Sequence, residues 1–259
     1  MKKLLLTLSI VFMITSLFSQ IVDEDFEAYT TGNGVAEEAG TPWTTWSNSP
    51  GGSEDPVISE AVAYSGIKSA YVSGTNDGVL ELSDYESGRY RIDIYLYVVS
   101  GNTAYFNVLQ DFNGSNSEWG TQLYFRVDGT GSLDAGAGDA ATFTYIPETW
   151  LHFRIFVDID NDFATIVYDG TELVSWQWST GTFGGGTLNK LDAVNFYAWD
   201  QEGTPGYYFD DVSVVQLSTL DAPQNLTAVL TDDDIALSWD EPSSGTPDSY
   251  ILMRNGVQL

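Results

Sequence analysis

Residues 90–99 read Tyr90-Arg91-Ile92-Asp93-Ile94-Tyr95-Leu96-Tyr97-Val98-Val99. Tyr90, Ile92, Ile94, Leu96 and Val98 fall on one side, and Arg91, Asp93, Tyr95, Tyr97 and Val99 on the other. A period of two marks a strand buried on one face. The pattern recurs on the C-terminal side. Between 104 and 112, Phe106 and Val108 point inward against Tyr105, Asn107 and Asp111. Leu123, Phe125 and Val127 alternate with Gln122, Tyr124 and Arg126, and Trp150 to Ile159 turns Leu151, Phe153, Ile155, Val157 and Ile159 inward. Further strands are expected near 163–168, 172–178, 192–199 and 207–217, and no segment carries a capped helical period. So many short strands broken by turn residues make an all-β, two-sheet antiparallel sandwich of jelly-roll kind.

The composition narrows the function classes. Nine Lys and Arg stand against 37 Asp and Glu, a formal charge of −28. Such a surface repels phosphate backbones and anionic lipid heads, so nucleic acid is not an expected partner. There is no cysteine, which excludes disulfides, thiolate zinc sites and cysteine nucleophiles. The single histidine, His152, makes any Ser-His-Asp triad depend on that one residue. Aromatics at 14% separate the chain from acidic disordered sequences.

Met1-Lys2-Lys3 followed by the apolar run Leu4 to Phe18 reads as a secretory signal peptide over 1–19, with Ser19 at the cleavage point. The run is too short for a stable membrane span, so the expected product is exported, extracellular or on a bacterial cell surface, with no membrane insertion after cleavage. Removal of Lys2 and Lys3 takes the charge nearer −30. The sandwich is expected over 20–217 and a linker over 218–221.

Two segments carry a family resemblance. Trp150-Leu-His-Phe-Arg-Ile-Phe-Val-Asp-Ile-Asp-Asn-Asp-Phe-Ala-Thr-Ile-Val-Tyr-Asp-Gly170 resembles the Trp-x-His strand and Tyr-x-Asp-Gly hairpin of concanavalin A-like sandwiches, the laminin-G and pentraxin-type folds. Tyr208-Phe209-Asp210-Asp211-Val212-Ser213-Val214 is similar to the last strand of carbohydrate-binding jelly rolls. In those families Trp150 and His152 are framework positions. After the linker, Pro223-Gln-Asn-Leu-Thr-Ala228, the strand Ile235 to Trp239 and Tyr250-Ile-Leu-Met-Arg-Asn-Gly256 resemble the first half of a fibronectin type III domain, immunoglobulin-like, over 222–259. Such a domain needs about 100 residues, so the chain reads as a piece of a longer protein.

Three candidate sites follow. Jelly-roll binding modules set their first and last strands side by side and often share calcium between them. That resemblance implies a structural calcium ion held by Glu24, Asp25, Glu27, Asp210 and Asp211, against a solvated acidic end. Asp158, Asp160 and Asp162 imitate a calcium loop, but Phe163 replaces the required glycine, and a hairpin turn is the expected reading. The outward phase of the strands carries Tyr95, Tyr97, Tyr105, Asn107, Tyr124, Arg126, Tyr197 and Trp199, and Trp176 and Trp178 share a face as well. Rings stack on apolar sugar faces while polar neighbours bond hydroxyls, so this set is the expected glycan-binding face.

No catalytic constellation is expected. Asp23, Asp25 and Glu27 share a face, but they lie at the extreme start, and no mid-chain Glu-x-Asp-x-Glu exists for a glucanase of this fold. The expected function is therefore a non-catalytic carbohydrate-binding or adhesion module, with a polysaccharide or a cell-surface protein as partner. The alternative is an accessory module of a secreted hydrolase or protease with catalysis elsewhere.

Overall fold

The computed structural model describes residues 19–217, 224–231, 234–241, 253–254 and 257–258. The signal-peptide reading (beyond Ser19), the linker and much of the fibronectin-like segment lie outside the described residues. Ser19–Leu217 forms one compact unit.

This unit is a sandwich of two antiparallel sheets. In chain order its strands are β1 (Ser19–Glu24), β2 (Trp43–Thr45), β3 (Val57–Ser59), β4 (Ser69–Ser73), β5 (Asp77–Tyr85), β6 (Arg89–Val98), β7 (Ala104–Asp111) and β8 (Glu118–Phe125). There follow β9 (Thr130–Asp134), β10 (Ala141–Thr144), β11 (Trp150–Asp158), β12 (Phe163–Tyr168), β13 (Thr171–Trp176), β14 (Leu191–Tyr197) and β15 (Gly206–Leu217). The eight-stranded sheet runs β13-β12-β11-β6-β15-β4-β3, with β1 also paired to β15. The seven-stranded sheet runs β10-β9-β8-β7-β14-β5-β2. Beyond this unit, β16 (Gln224–Thr231) pairs antiparallel with β17 (Asp234–Asp240), and β18 (Met253–Arg254) with β19 (Val257–Gln258).

The inward phase read from 90–99 is the buried one: Tyr90, Ile92, Ile94, Leu96 and Val98 are at most 2% exposed. Between the sheets the core is a seam of rings. Phe196 on β14 stacks on Phe209 of β15 at 3.9 Å, while Phe153 of β11 meets Phe106 and Phe125 of the other sheet at 5.7 and 5.4 Å. Truncating one such ring to alanine removes about 3–5 kcal/mol. Trp176 and Trp178 belong to this core, at 8% and 0% exposure, and not to a sugar-facing surface. Val127, expected inside, is 46% exposed. β8 stops at Phe125, and Arg126 to Thr130 close a turn through Arg126 N–H to Thr130 O.

One short helix, α1 (Val35–Ala39), escapes the sequence reading. A single turn has no period to detect. Its first amides donate to a carboxylate far along the chain: Asp55 accepts from Ala36 N–H at 2.8 Å and Glu37 N–H at 2.9 Å.

The acidic ends of the sandwich do come together, around a loop. β1 pairs with β15, setting Glu24 opposite Val212. Glu27 accepts from Ile67 and Lys68 N–H, both at 2.7 Å. Asp210, fully buried, accepts from Tyr64 N–H at 2.7 Å and Ser65 N–H at 3.3 Å, and Asp211 accepts from Ser65 O–H at 2.8 Å. Glu24 accepts from the Tyr29 hydroxyl and the Trp43 indole, and Asp25 from Glu27 N–H. Peptide and side-chain donors thus bond at least one oxygen of each of these carboxylates. No three of the five carboxylates bring ligand atoms within 4.8 Å of one another, so as a set they do not fit the calcium site that the resemblance implies. The group that does gather among the described residues, Asp84, Asp111 and Asp192, has Lys190 Nζ 2.5 Å from Asp84 and 3.3 Å from Asp111.

Gly66 is the pivot of this loop. Its φ is +57°, and an added Cβ would overlap the Glu27 carboxyl group. Gly74 shares the conformation (φ +60°) with open space around it. Gly66→Ala is expected to lower unfolding free energy by more than the roughly 1–2 kcal/mol of left-handed backbone strain, and Gly74→Ala by that strain alone. Equal losses in denaturant titrations would show that Glu27 does not clamp the loop.

Candidate functional site: the groove of the seven-stranded sheet

Burying Phe106, Phe125 and Phe196 turns their sequence neighbours to the opposite face of the same sheet. Two cross-strand rows result. In one, Asn195 of β14 stands opposite Asn107 of β7, which is opposite Gln122 of β8, which is opposite Asp134 of β9. In the next, Tyr105 is opposite Tyr124, which is opposite Ser132, and Tyr197 meets Tyr105 edge-on at 5.9 Å.

These rows floor two adjoining depressions. The larger, of about 470 Å³, is lined by Tyr105, Gln122, Tyr124, Arg126, Ser132, Asp134, Tyr197, Trp199 and Glu202, with Phe183 on one wall. The smaller, of about 200 Å³, is lined by Trp46, Asp77, Tyr105, Asn107, Trp119, Gln122, Asn195 and Tyr197. Tyr105, Gln122 and Tyr197 border both, so they form one groove.

A hydrogen-bond chain runs along the floor. Asn195 Nδ2 donates to Asp77 Oδ1 at 2.6 Å, and Asn107 Nδ2 donates to Asn195 Oδ1 at 2.7 Å and to the Tyr105 hydroxyl at 3.1 Å. The hydroxyls of Tyr105 and Tyr124 both donate to Gln122 Oε1, at 2.7 and 3.1 Å. Asn107 is 1% exposed and its Oδ1 accepts no bond from the protein. At the rim, Arg126 donates to Ser132 Oγ and pairs with Glu202 at 2.7 Å.

Two kinds of proton-bearing group line the groove. Asp77 is pushed up to about 7, first by burial and further by the nearby Glu54 charge, against the bond from Asn195. Its carboxyl therefore changes charge near neutrality. Burial pushes the Tyr105 phenol well above its ordinary value, and burial with the charge of Asp134 does the same for Tyr124. These phenols keep their protons and can give them up only to a strongly basic atom.

Of the residues expected to bind glycan, the structure gathers Tyr105, Asn107, Tyr124, Arg126, Tyr197 and Trp199 in or beside this groove. Tyr95 and Tyr97 are not among them. They share the outward phase but sit on β6, in the other sheet, so outward there means the opposite side of the sandwich. Asp77, Trp46, Trp119, Gln122, Asn195 and Asp134 were not singled out. Asn195 and Gln122 carry the same alternation as Tyr197 and Tyr124. Asp77, between Asn76 and Gly78, looks like a turn residue, and Trp46 follows a three-residue strand.

No protein-family model and no curated protein matches the chain. Solved structures do. An alginate lyase, Aly36B, as a double mutant with an alginate trisaccharide, superposes with a TM-score of 0.53 and 13% identity over 77% of this chain and 98% of its own. A sialidase superposes with a TM-score of 0.50 and 10% identity over 76% of this chain, which spans only 18% of that protein. The shared jelly-roll sandwich is the fold of this chain. The comparison also corrects the expectation of a non-catalytic binding or adhesion module, accessory to an enzyme or otherwise. In the lyase this sandwich is nearly the whole enzyme, so the fold needs no further domain to host catalysis. Lack of cysteine excluded thiolate chemistry, and a lone histidine left any triad to one residue, but neither bears on chemistry by phenols, amides and a tuned carboxyl.

A raised carboxyl pKa has a definite sign. The folded chain holds the Asp77 proton more tightly than the unfolded one, so stability declines as pH rises from the ordinary carboxylate range through about 7. Asp77→Asn keeps an acceptor for Asn195 and removes the buried charge. It is expected to raise stability by about 1–2 kcal/mol at pH 8 with little change at pH 4. Thermal melts across pH check this, and parallel curves for the two proteins would contradict it.

Proposed function

We propose that the Ser19–Leu217 unit is a carbohydrate-active enzyme that cleaves a uronate-containing polysaccharide by β-elimination in this groove. The observation that carries the reading is the company Asp77 keeps. The smaller depression holds one carboxyl near neutrality beside two phenols and three amides. Hydrolysis by paired carboxylates needs a second one within about 10 Å. Asp134, the other carboxyl of the floor rows, stands four strands away, about 19 Å at the usual ~4.8 Å spacing, and Glu54, whose charge acts on Asp77, does not line the groove and accepts from Ser47 through both oxygens.

Elimination needs a base, an acid and donors that neutralise the sugar carboxylate. Asp77, ionised above about 7, takes the proton from the carbon next to that carboxylate. The electron pair left behind forms a carbon–carbon double bond. The bond to the glycosidic oxygen breaks, and the Tyr105 or Tyr197 hydroxyl protonates the departing oxygen. The Gln122 amide, which borders both depressions, is placed to bind the carboxylate, which makes the adjacent hydrogen acidic. Trp46 and Trp119, stacked at 6.1 Å and 18°, flank the site as a ring platform for a neighbouring sugar. The alginate lyase of the same fold, solved with an alginate trisaccharide, supports a uronate polymer as substrate class.

The leader read at 1–19 makes this an exported activity, and the segment from 222 is its fibronectin type III neighbour. The chain is strongly acidic, as is the proposed substrate, so long-range repulsion slows encounter. Moderate salt shortens the Debye length to about 8 Å and lifts that barrier while leaving contacts in the groove intact.

Incubation with polyuronates is expected to release oligosaccharides with unsaturated ends, visible by ultraviolet absorbance. The value of kcat/KM should rise through pH 7 and then level, as the free enzyme's base ionises. Asp77→Asn and Tyr105→Phe are each expected to lower it by about 10²–10⁴-fold. Saturated products only, or full activity in Asp77→Asn, would overturn the assignment.

A further inference from the structure

The opposite side of the sandwich carries a second organised surface, and it includes the two tyrosines that the groove leaves out. On the outer face of the eight-stranded sheet the rings form a continuous strip. Tyr71 meets Tyr208 at 4.5 Å, Tyr208 meets Tyr97 at 6.0 Å, and Tyr97 meets Trp150 at 5.4 Å. Tyr64 packs edge-on against Trp150 at 5.8 Å and stacks on Tyr95 at 3.7 Å, and Tyr95 stacks on His152 at 4.5 Å and 7°. The strand rings and His152 are half-buried, and Tyr64 is 45% exposed. A buried core does not require rings here, because this face points away from it. A chain of rings crossing β4, β15, β6 and β11 is the shape of a platform for successive sugar faces.

The strip ends in the chain's densest group of basic side chains. Arg91, His152 and Arg154 converge on one carboxylate, Asp93, at 2.7, 2.7 and 2.8 Å. Arg91 and Arg154 share this one aspartate from either side, so the end of the strip presents two guanidinium groups. Arg89 alongside is balanced by Asp158 at 3.1 Å. Asp169 and Asp211 border the strip, bonded to His152 N–H and the Ser65 hydroxyl. Arg154 keeps 38% of its side chain exposed and Arg91 26%. Elsewhere in the sandwich the basic side chains are Lys68, Arg126 and Lys190, spread singly. Tyr64 is fixed over the strip by its own N–H on buried Asp210, so the platform is preformed.

We propose that this strip is a second glycan-binding surface that takes an acidic polysaccharide, its rings stacking on the sugars and Arg154 and Arg91 meeting a sugar carboxylate or sulfate. It does not rest on the chemistry assigned to the groove. The test measures binding calorimetrically on the full chain carrying Asp77→Asn, which prevents turnover. Three probes are used: a polygalacturonate hexasaccharide, a sulfated galactan hexasaccharide and cellohexaose. At least one anionic probe is expected to bind at a site whose affinity drops about tenfold in Tyr64→Ala and in Arg154→Gln, with melting temperatures unchanged. The probe so affected identifies carboxylate or sulfate as the anion. Should Arg154→Gln fail to fold, Tyr64→Ala carries the test, since Tyr64 lies on the strip's outer side at 45% exposure. Equal affinity for cellohexaose, or no loss in the variants, overturns the proposal. Cleavage by the unmodified chain is read separately. A ring-dependent site without cleavage overturns only the groove assignment, and cleavage without a ring-dependent site overturns only this one.

Discussion

The stacking of Phe196 on Phe209 between the two sheets, at 3.9 Å and 5°, fixes what every other strand position can do. Once Phe196 is committed to the core, the period of two leaves Asn195 and Tyr197 no choice but the groove. Phe106 likewise commits Tyr105 and Asn107, and Phe125 commits Tyr124. The site is thus a by-product of core packing, registered across β14, β7 and β8 by their ladder bonds. A one-residue slip of any of these strands would bury amides and phenols without partners and expose rings. Both penalties are several kcal/mol, so the register of the site is as secure as the core itself.

This explains how much was legible in the sequence. Which side chains of β6, β7, β8, β11 and β14 face inward is a local property, and the alternation states it. Which sheet a strand joins is not local. Tyr97 and Tyr105 have the same phase on consecutive strands, yet β6 and β7 belong to different sheets and their tyrosines end on opposite sides of the molecule. Periodicity carries no information on that assignment. Asp77 was hidden for another reason. Its carboxyl is unusual only because Asn195, 118 residues later, folds over it and burial withdraws its water. The resemblance to binding jelly rolls pointed correctly to the sandwich. It carried no warrant about catalysis, because fold and chemistry are separable.

The charge of −28 also acquires a structural account. The acidic residues at the two ends of the sandwich were natural candidates for a shared cation, since carboxylates crowded together repel. The structure answers that repulsion with dipoles. The N–H groups of Tyr64 and Ser65 point at Asp210 and those of Ile67 and Lys68 at Glu27, and Lys68 Nζ bridges the carbonyls of Glu27 and Tyr29. Charge-assisted bonds of this kind are about twice as strong as neutral ones. These bonds hold the loop, and its shape places Tyr64.

The two surfaces lie on opposite sides of one core, and this geometry constrains how a polymer meets both. The sheets pack about 10 Å apart, and outward side chains add several ångströms on each side. A straight stretch of polysaccharide cannot lie in the groove and on the ring strip at once. Simultaneous occupancy requires two chains, or one chain returning around a sheet edge. If both proposals hold, a polymer on the strip would leave the groove open and raise the local concentration of segments near it, which is the advantage of a second site without a new contact at the reacting bond. Arg91 and Arg154 lie on the strip side of the core, and Arg126, at the rim of the groove, is paired with Glu202.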